Sequence, residues 1–381
     1  MKLLFHHKLK QKETNAMHRI LFMPLLQIPS GHHHVADCIQ EQLKQSADDF
    51  LCEKVELLSY RSVSLEKFIS FVYLQWIQKF PSIYSKTYKQ LAVKKEMHNK
   101  HYYLYEALFL KQVQQIIDDA KPDLVICTHA LPSYLLNRMK KRNLWSGRIV
   151  NIYTDYFIND LWGMDGVDYH FIPCMEVKNK LLGKGVDPTQ AIVTGIPIHP
   201  VFTKKRDSKE VKAKYNVLIS GGNMGTGSIE RLIRQLHPSG VVTYDVLCGK
   251  NERLFQTIKQ MNHPSIKALG YIRTKEEMNH LYNLADAIIT KPGGVTITEC
   301  LWKKIPIFVY DALPGQEEIN LNYLKSKGLI HHLDNWDTAT DLEFILIEQL
   351  KNDSLHFQKS SQAFIDSIEN HNIPQLIRNI L

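Results

Sequence analysis

Apolar and polar positions along this chain follow two alternating rhythms. Short, nearly continuous apolar runs at His18–Leu26, Lys54–Ser59, Asp123–Thr128, Arg148–Thr154, Tyr169–Cys174 and Ala191–Gly195 predict strands. Between them, apolar residues at helical spacing predict helices, among them Val35–Gln45, Tyr102–Ala120 and Glu176–Gly183. Runs such as LVICT and IVNIYT lack polar alternation, as expected of parallel strands covered on both faces. The rhythm breaks at Pro197–Arg206, where prolines and charges replace any period. It then resumes with strands predicted at Asn216–Ser220, Val241–Cys248, Ile266–Tyr271, Ala287–Lys291, Pro306–Tyr310 and Leu329–Leu333.

This pattern predicts an α/β protein of two Rossmann-like, doubly wound domains facing each other across a cleft. The first is expected over residues 18–200 and the second over 207–353. The final helices, 354–381, are expected to cross back to the first domain. Residues 1–17 contain no apolar h-region and are read as a tail outside the fold, either disordered or an over-long start.

Composition changes this picture little. With 381 residues and 44% hydrophobic content, each half can bury its own core. Six cysteines (38, 52, 127, 174, 248 and 300) show no CxxC pair and no zinc spacing, which reads as reduced core thiols in a cytoplasmic protein. No apolar run reaches the roughly 18 residues that a membrane span requires.

Charge adds one feature. The formal net charge is +8, and it is concentrated between Tyr60 and Gln115. There, nine basic residues (Arg61, Lys67, Lys79, Lys86, Lys89, Lys94, Lys95, Lys100, Lys111) face three glutamates (Glu66, Glu96, Glu106) among many aromatics. Such a surface suits nucleic acid or an anionic membrane, and equally a solvated helix face over an aromatic core stripe. Ile69, Val72, Tyr73, Trp76 and Phe80 form a helical apolar stripe, the pattern of an interfacial helix.

In doubly wound sheets ligands bind at the carboxyl ends of strands, so the loops there are searched first. One reads GGNMGTG, with Gly222, Gly225 and Gly227 leading into a helix; backbone amides at such a turn can approach a phosphate. A second reads Lys291-Pro292-Gly293-Gly294 and continues VTITE, placing Thr296 and Glu299 in the next helix. A carboxylate at Glu299 can accept from a ribose diol, or can be an ordinary surface helix glutamate. A third, PGQEEIN, brings Gln316 and Glu317, suited to sugar hydroxyls or to capping a helix.

GGNMGTG, KPGGVTITE and PGQEEIN, in this order and spacing, resemble the donor half of the processive diacylglycerol glucosyltransferases and plant-type monogalactosyldiacylglycerol synthases. PSGHHHVADCI, TDYFINDLW and EVKNKLLGKGVDPTQAIVTGIPIHPVF extend the resemblance over roughly residues 18–350. It implies a GT-B fold and an inverting transferase that moves a hexose from a UDP-sugar to a lipid acceptor such as diacylglycerol. It further implies uracil near Tyr271 and Ile272, diphosphate near Gly222, Gly225, Gly227, Gly293 and Gly294, ribose at Glu299, and hexose at Gln316 and Glu317. His32, paired with Gly31, matches the family's catalytic base, and Asp155 is the other candidate on the acceptor side. A histidine is chemically apt, since it titrates near neutrality. Three adjacent histidines also invite a metal reading, but successive helical residues point apart. No D-x-D triplet occurs, so no metal and no resident cofactor is expected.

A lipid acceptor favours an anionic membrane over nucleic acid as partner of the basic segment, with the protein peripheral on the inner face of the cell membrane. Pro29 and Asn159 depart from many relatives; both lie in the acceptor half and bear on acceptor identity. Two other readings stay open: a sugar-nucleotide enzyme without a lipid acceptor, such as a UDP-N-acetylglucosamine 2-epimerase, and a non-catalytic nucleotide-binding protein at the membrane.

Overall fold

The computed structural model describes residues 17–25, 30–46, 50–57, 102–204, 214–221, 229–313, 315–339 and 341–381. Most of the leading tail, Pro29, the 58–101 part of the basic segment, the end of the linker, and Gly222, Gly225 and Gly227 lie outside the described residues.

Strands β1 (His18–Phe22), β2 (Phe50–Lys54), β3 (Leu124–Cys127), β4 (Arg148–Ile152), β5 (Tyr169–Ile172) and β6 (Ala191–Val193) form one sheet, in the order β2-β1-β3-β4-β5-β6. Strands β7 (Tyr215–Ser220), β8 (Val242–Leu247), β9 (Ile266–Leu269), β10 (Ala287–Thr290), β11 (Ile307–Val309) and β12 (His331–His332) form a second, in the order β12-β11-β10-β7-β8-β9. Neighbouring strands pair in parallel throughout both sheets.

The continuous apolar runs are explained by strand geometry. Successive side chains point to opposite faces, so one run must serve two cores. In the second sheet Val217, Ile219, Ala287, Ile289 and Phe308 enter one buried cluster, while Leu218, Ile288, Ile307 and Val309 enter the other.

The predicted strand at Lys54–Ser59 is misplaced. The edge strand is Phe50–Lys54, paired with β1 in the register His18↔Phe50 to Phe22↔Lys54. On this edge Leu51 and Glu53 are exposed and Phe50, Cys52 and Lys54 half-buried, so pairing does not follow the more apolar residues downstream.

Residues beyond α11 (Ser354–Asp366) return to the first sheet. The Glu369 amide donates to the Val193 carbonyl at 2.8 Å, and its carboxylate accepts from the Val193 amide at 2.9 Å. Ile373, Leu376, Ile377 and Ile380 of the last helix, α12 (Ile373–Ile380), are buried in the same apolar cluster as β1, β3 and β4.

Each sheet has one point where chain order reverses: between β1 and β3 in the first, and between β7 and β10 in the second. Crevices open at such points. The His32 loop follows β1, and the KPGG loop follows β10.

One core residue sets an acid limit on the fold. His170 of β5 is fully buried, its Nδ1 2.8 Å from the Tyr153 hydroxyl, and burial pushes its pKa down to about 4. The unfolded chain therefore binds a proton that the folded chain refuses. This stability is fully present above about pH 6.5 and is lost as pH falls towards 4. Denaturant melts should show about 2 kcal/mol less stability at pH 5 than at pH 7.5 from this residue. His170→Gln should flatten the slope by that amount; an unchanged slope would refute the assignment.

Candidate functional site

Helix α1 (Gly31–Gln45) starts at Ser30, in extended conformation, and carries His32 in its first turn. His32 Nδ1 lies 2.6 Å from the Thr128 carbonyl and 2.9 Å from the Thr154 hydroxyl. A carbonyl only accepts, so Nδ1 carries the hydrogen and Nε2 keeps its lone pair. The His129 ring packs edge-on at 4.9 Å between centroids. Burial lowers the His32 pKa, opposed by the Asp155 carboxylate and the Thr128 carbonyl. His32 is thus a half-buried imidazole, held as one tautomer and kept neutral.

The adjacent histidines diverge. His33 is buried, its Nδ1 3.3 Å from the Ser30 hydroxyl and its Nε2 3.9 Å from Glu56, and its pKa is pushed down to about 4 by burial. It serves the helix start through Ser30.

The KPGG loop opens α8 (Gly294–Trp302) with Gly293 as N-cap. The cap offers no side-chain hydrogen bond, and the first turn holds no acid. The first-turn amides, which no side chain caps among the described residues, and the positive dipole end suit an anion. The two glycines differ in role. A Cβ at Gly293 would meet nothing within 4 Å among the described residues, so that side is open to them. A Cβ at Gly294 would lie 2.0 Å from the Thr154 carbonyl oxygen and 2.7 Å from Ile196 Cδ1. Gly294 is therefore required for the two halves to touch. Gly31 completes the seam, its Cβ position lying 3.4 Å from Val295.

Residues from both halves lock across this seam. Tyr156 donates its hydroxyl to Thr298, 2.7 Å away, whose own hydroxyl donates to the Gly294 carbonyl. Asn320 of α9 (Gln316–Ser326) accepts from the Tyr156 amide at 2.9 Å. Its Nδ2 donates to Asp155 at 2.8 Å and to the Pro292 carbonyl at 3.1 Å. The Tyr156 ring stacks on Tyr323 at 5.4 Å.

Glu299 is not a surface glutamate. It is 7% exposed and accepts from the Tyr282 hydroxyl at 2.8 Å. Burial raises its pKa to about 7, against the pull of Lys275 and the Tyr282 hydrogen bond. Thr296 is half-buried on the same helix. Gln316 begins α9 after Gly315, whose φ of +89° favours glycine. Glu317 turns back on its own loop and accepts from the Leu313 amide at 2.6 Å. Burial raises its pKa, and Lys291 lowers it. Tyr271, 43% exposed beyond β9, has Lys250 Nζ 5.2 Å from its ring centroid, and Ile272 is half-buried beside it. Asn159 caps its own turn through the Leu161 amide at 3.1 Å.

The structure therefore brings Gly31, His32, Asp155, Pro292, Gly294 and Asn320 into one seam. Sequence reasoning missed Thr128, Thr154, Tyr156, Asn320 and His129 as parts of it. Asn320 stood inside a motif already singled out, but its partners lie far away in the chain.

The profile of the monogalactosyldiacylglycerol (MGDG) synthase family matches residues 32–198. The chain is 42% identical to the uncharacterized glycosyltransferase YkoN of Bacillus subtilis (strain 168), over 96% of this chain and 98% of that protein. It is 27% identical to the processive diacylglycerol beta-glucosyltransferase of the same organism, over 89% and 92% of the two chains. The solved MurG of Acinetobacter baumannii shares the fold at 15% identity, with a TM-score of 0.56 over 92% of this chain and 99% of that one. With two facing Rossmann-like domains of the GT-B type, the chain is a glycosyltransferase and belongs to the family of the MGDG synthases and processive diacylglycerol glucosyltransferases.

Proposed function

We propose that this enzyme transfers a hexose, with inversion, from a UDP-sugar to a lipid acceptor such as diacylglycerol. The observation that carries the reading is the lone pair left on His32 Nε2 by the Thr128 bond to Nδ1, beside an α8 N-terminus that no side chain caps among the described residues. His32 takes the proton of the acceptor hydroxyl as that oxygen attacks the anomeric carbon. The bond from that carbon to the diphosphate breaks, and UDP leaves with the electron pair. Amides at the start of α8 face the departing charge, so no metal is required. Glu299 receives the ribose, Gln316 and Glu317 the hexose, and the backbone near Tyr271 and Ile272 the uracil.

The lipid acceptor is supported by the names of the relatives, which act on diacylglycerol. Among the described residues no helix is long and apolar enough to cross a membrane. Tyr103, Leu104 and Leu108, at the start of α2 (Tyr103–Ala120), are 71%, 69% and 45% exposed, next to the basic aromatic segment. We assign this face to an anionic membrane, with the enzyme peripheral on the cytoplasmic side. No role in nucleic-acid binding is proposed.

Calorimetry with UDP in a chelating buffer tests the donor site. The wild type should bind, and at pH 8, where Glu299 is mostly ionised, Glu299→Ala should weaken binding by about 1.5–3 kcal/mol, the usual range for hydrogen bonds to a charged group. Unchanged affinity in the variant, or strict dependence on magnesium, would count against the assignment.

The pH dependence tests the base. Protonated His32 cannot accept a proton, so kcat/KM falls on the acid side, with its limb below histidine's ordinary 6.5. Asp155 raises the His32 pKa, so Asp155→Asn should move that limb to lower pH. A limb that stays in place in Asp155→Asn would separate Asp155 from the base.

A further inference from the structure

Lys291 follows β10 directly and precedes the Pro292-Gly293-Gly294 turn. Its side chain is 5% exposed, yet Nζ has no hydrogen-bond partner among the described residues. A buried ammonium is ordinarily paired and hydrogen-bonded. Lys303, 2% exposed at the end of α8, follows that rule: its Nζ donates to the Lys204 carbonyl at 2.9 Å and to Asn283 at 3.1 Å. Lys291 is the exception.

Its surroundings place the charge between the two donor loops. Glu317 feels the Lys291 charge, but a Glu317 oxygen is taken by the Leu313 amide instead. The same carboxylate also feels Asp311 and Asp155, so the Lys291 ammonium belongs to the region where the GQE loop, the KPGG loop and the acceptor half converge. The open side of Gly293 and the uncapped start of α8 lie within three residues along the chain.

We propose that Lys291 is the counter-charge of the donor's two linked phosphates and that its pairing is completed only when they bind. The inference rests on the donor reading given under Proposed function and adds a specific residue to it. A diphosphate ester carries two negative charges. When the bond between the anomeric carbon and the phosphate oxygen breaks, the electron pair stays on that oxygen and the leaving group gains a third. The new bond forms from the acceptor oxygen, whose proton passes to His32. An ammonium already desolvated beside that oxygen stabilises the added charge without reorganisation. The neutral amides of α8 supply direction, and Lys291 supplies charge.

The test uses calorimetry with UDP, UMP and uridine, together with melting of the unliganded full chain, on wild type, Lys291→Met and Lys291→Arg. Lys291→Met should bind UDP about 10–100-fold more weakly and uridine as the wild type does. Its unliganded Tm should stay level or rise, because an unpaired buried charge has been removed. Lys291→Arg should recover part of the UDP affinity. Unchanged UDP affinity in Lys291→Met would overturn the proposal. So would a fall in Tm with equal loss of uridine binding, which marks a structural lysine. If the wild type bound no uridine nucleotide, the donor reading would fail, and inorganic pyrophosphate would decide on Lys291. Pyrophosphate binding lost in Lys291→Met would sustain it as a diphosphate ligand, whereas no pyrophosphate binding by the wild type would end both.

Discussion

His32→Ala should lower turnover by about 10²–10⁴-fold, the usual contribution of general-base assistance, while UDP affinity stays nearly intact. The division follows from the fold. His32 stands on the first sheet's side of the seam, whereas the loops proposed to hold the donor follow strands of the second sheet. Its Nδ1 is committed to Thr128 and Thr154, so only Nε2 can act, and alanine removes it without disturbing α8. The neighbours should behave differently. His33→Ala vacates a buried position near Ser30 and Glu56 and should show its main cost in stability. His34→Ala should retain most of the transfer rate, since helix geometry turns it from the point His32 reaches. Loss of transfer in His33→Ala with activity kept in His32→Ala would mean the wrong histidine is named; full activity in all three variants would pass the role to Asp155.

The second large effect is expected from one methyl group. Gly294→Ala puts a carbon 2.0 Å from the Thr154 carbonyl oxygen, far inside contact distance, and the obstacle is backbone. Either α8 or the 154–156 loop must retreat by about 1 Å or more, and overpacking of this kind costs about 1–3 kcal/mol. Retreat would pull Thr298 from Tyr156 and Asn320 from Asp155. A displacement of about 1 Å between reacting groups can cost about 10²-fold in rate, so kcat should fall by that order. Gly293→Ala, one residue earlier, meets no neighbour among the described residues and should fold with unchanged Tm. Steady-state kinetics and melting curves on the pair decide the matter; equal behaviour of the two variants would contradict the seam.

These two glycines mark where the sequence stops being informative. Both stood in KPGG and carried one expectation, proximity to diphosphate. Only the path of the Thr154 carbonyl, set by β4 in the other half, separates them. The strand rhythm was legible because a strand covered on both faces must be apolar at every position, as at Leu124–Cys127 and Ala287–Thr290. The edge strand at Phe50–Lys54 was not, because an edge pairs on one side and tolerates exposed Leu51 and Glu53. His32 could be named from its motif, but its tautomer depends on the Thr128 carbonyl, 96 positions away. Asn320 reaches Tyr156 across 164 positions, a contact that no local pattern encodes. Burial of Glu299 likewise follows from packing around Tyr282, which its own helix does not announce.

The most direct test of the account is product analysis after incubating the enzyme with a panel of radiolabelled UDP-hexoses and vesicles containing diacylglycerol and anionic lipid, in a chelating buffer. A labelled glycolipid of inverted anomeric configuration should form, with matching release of UDP, and should be lost in His32→Ala. Conversion of the sugar nucleotide without any lipid product, or transfer only when a divalent metal is restored, would contradict it.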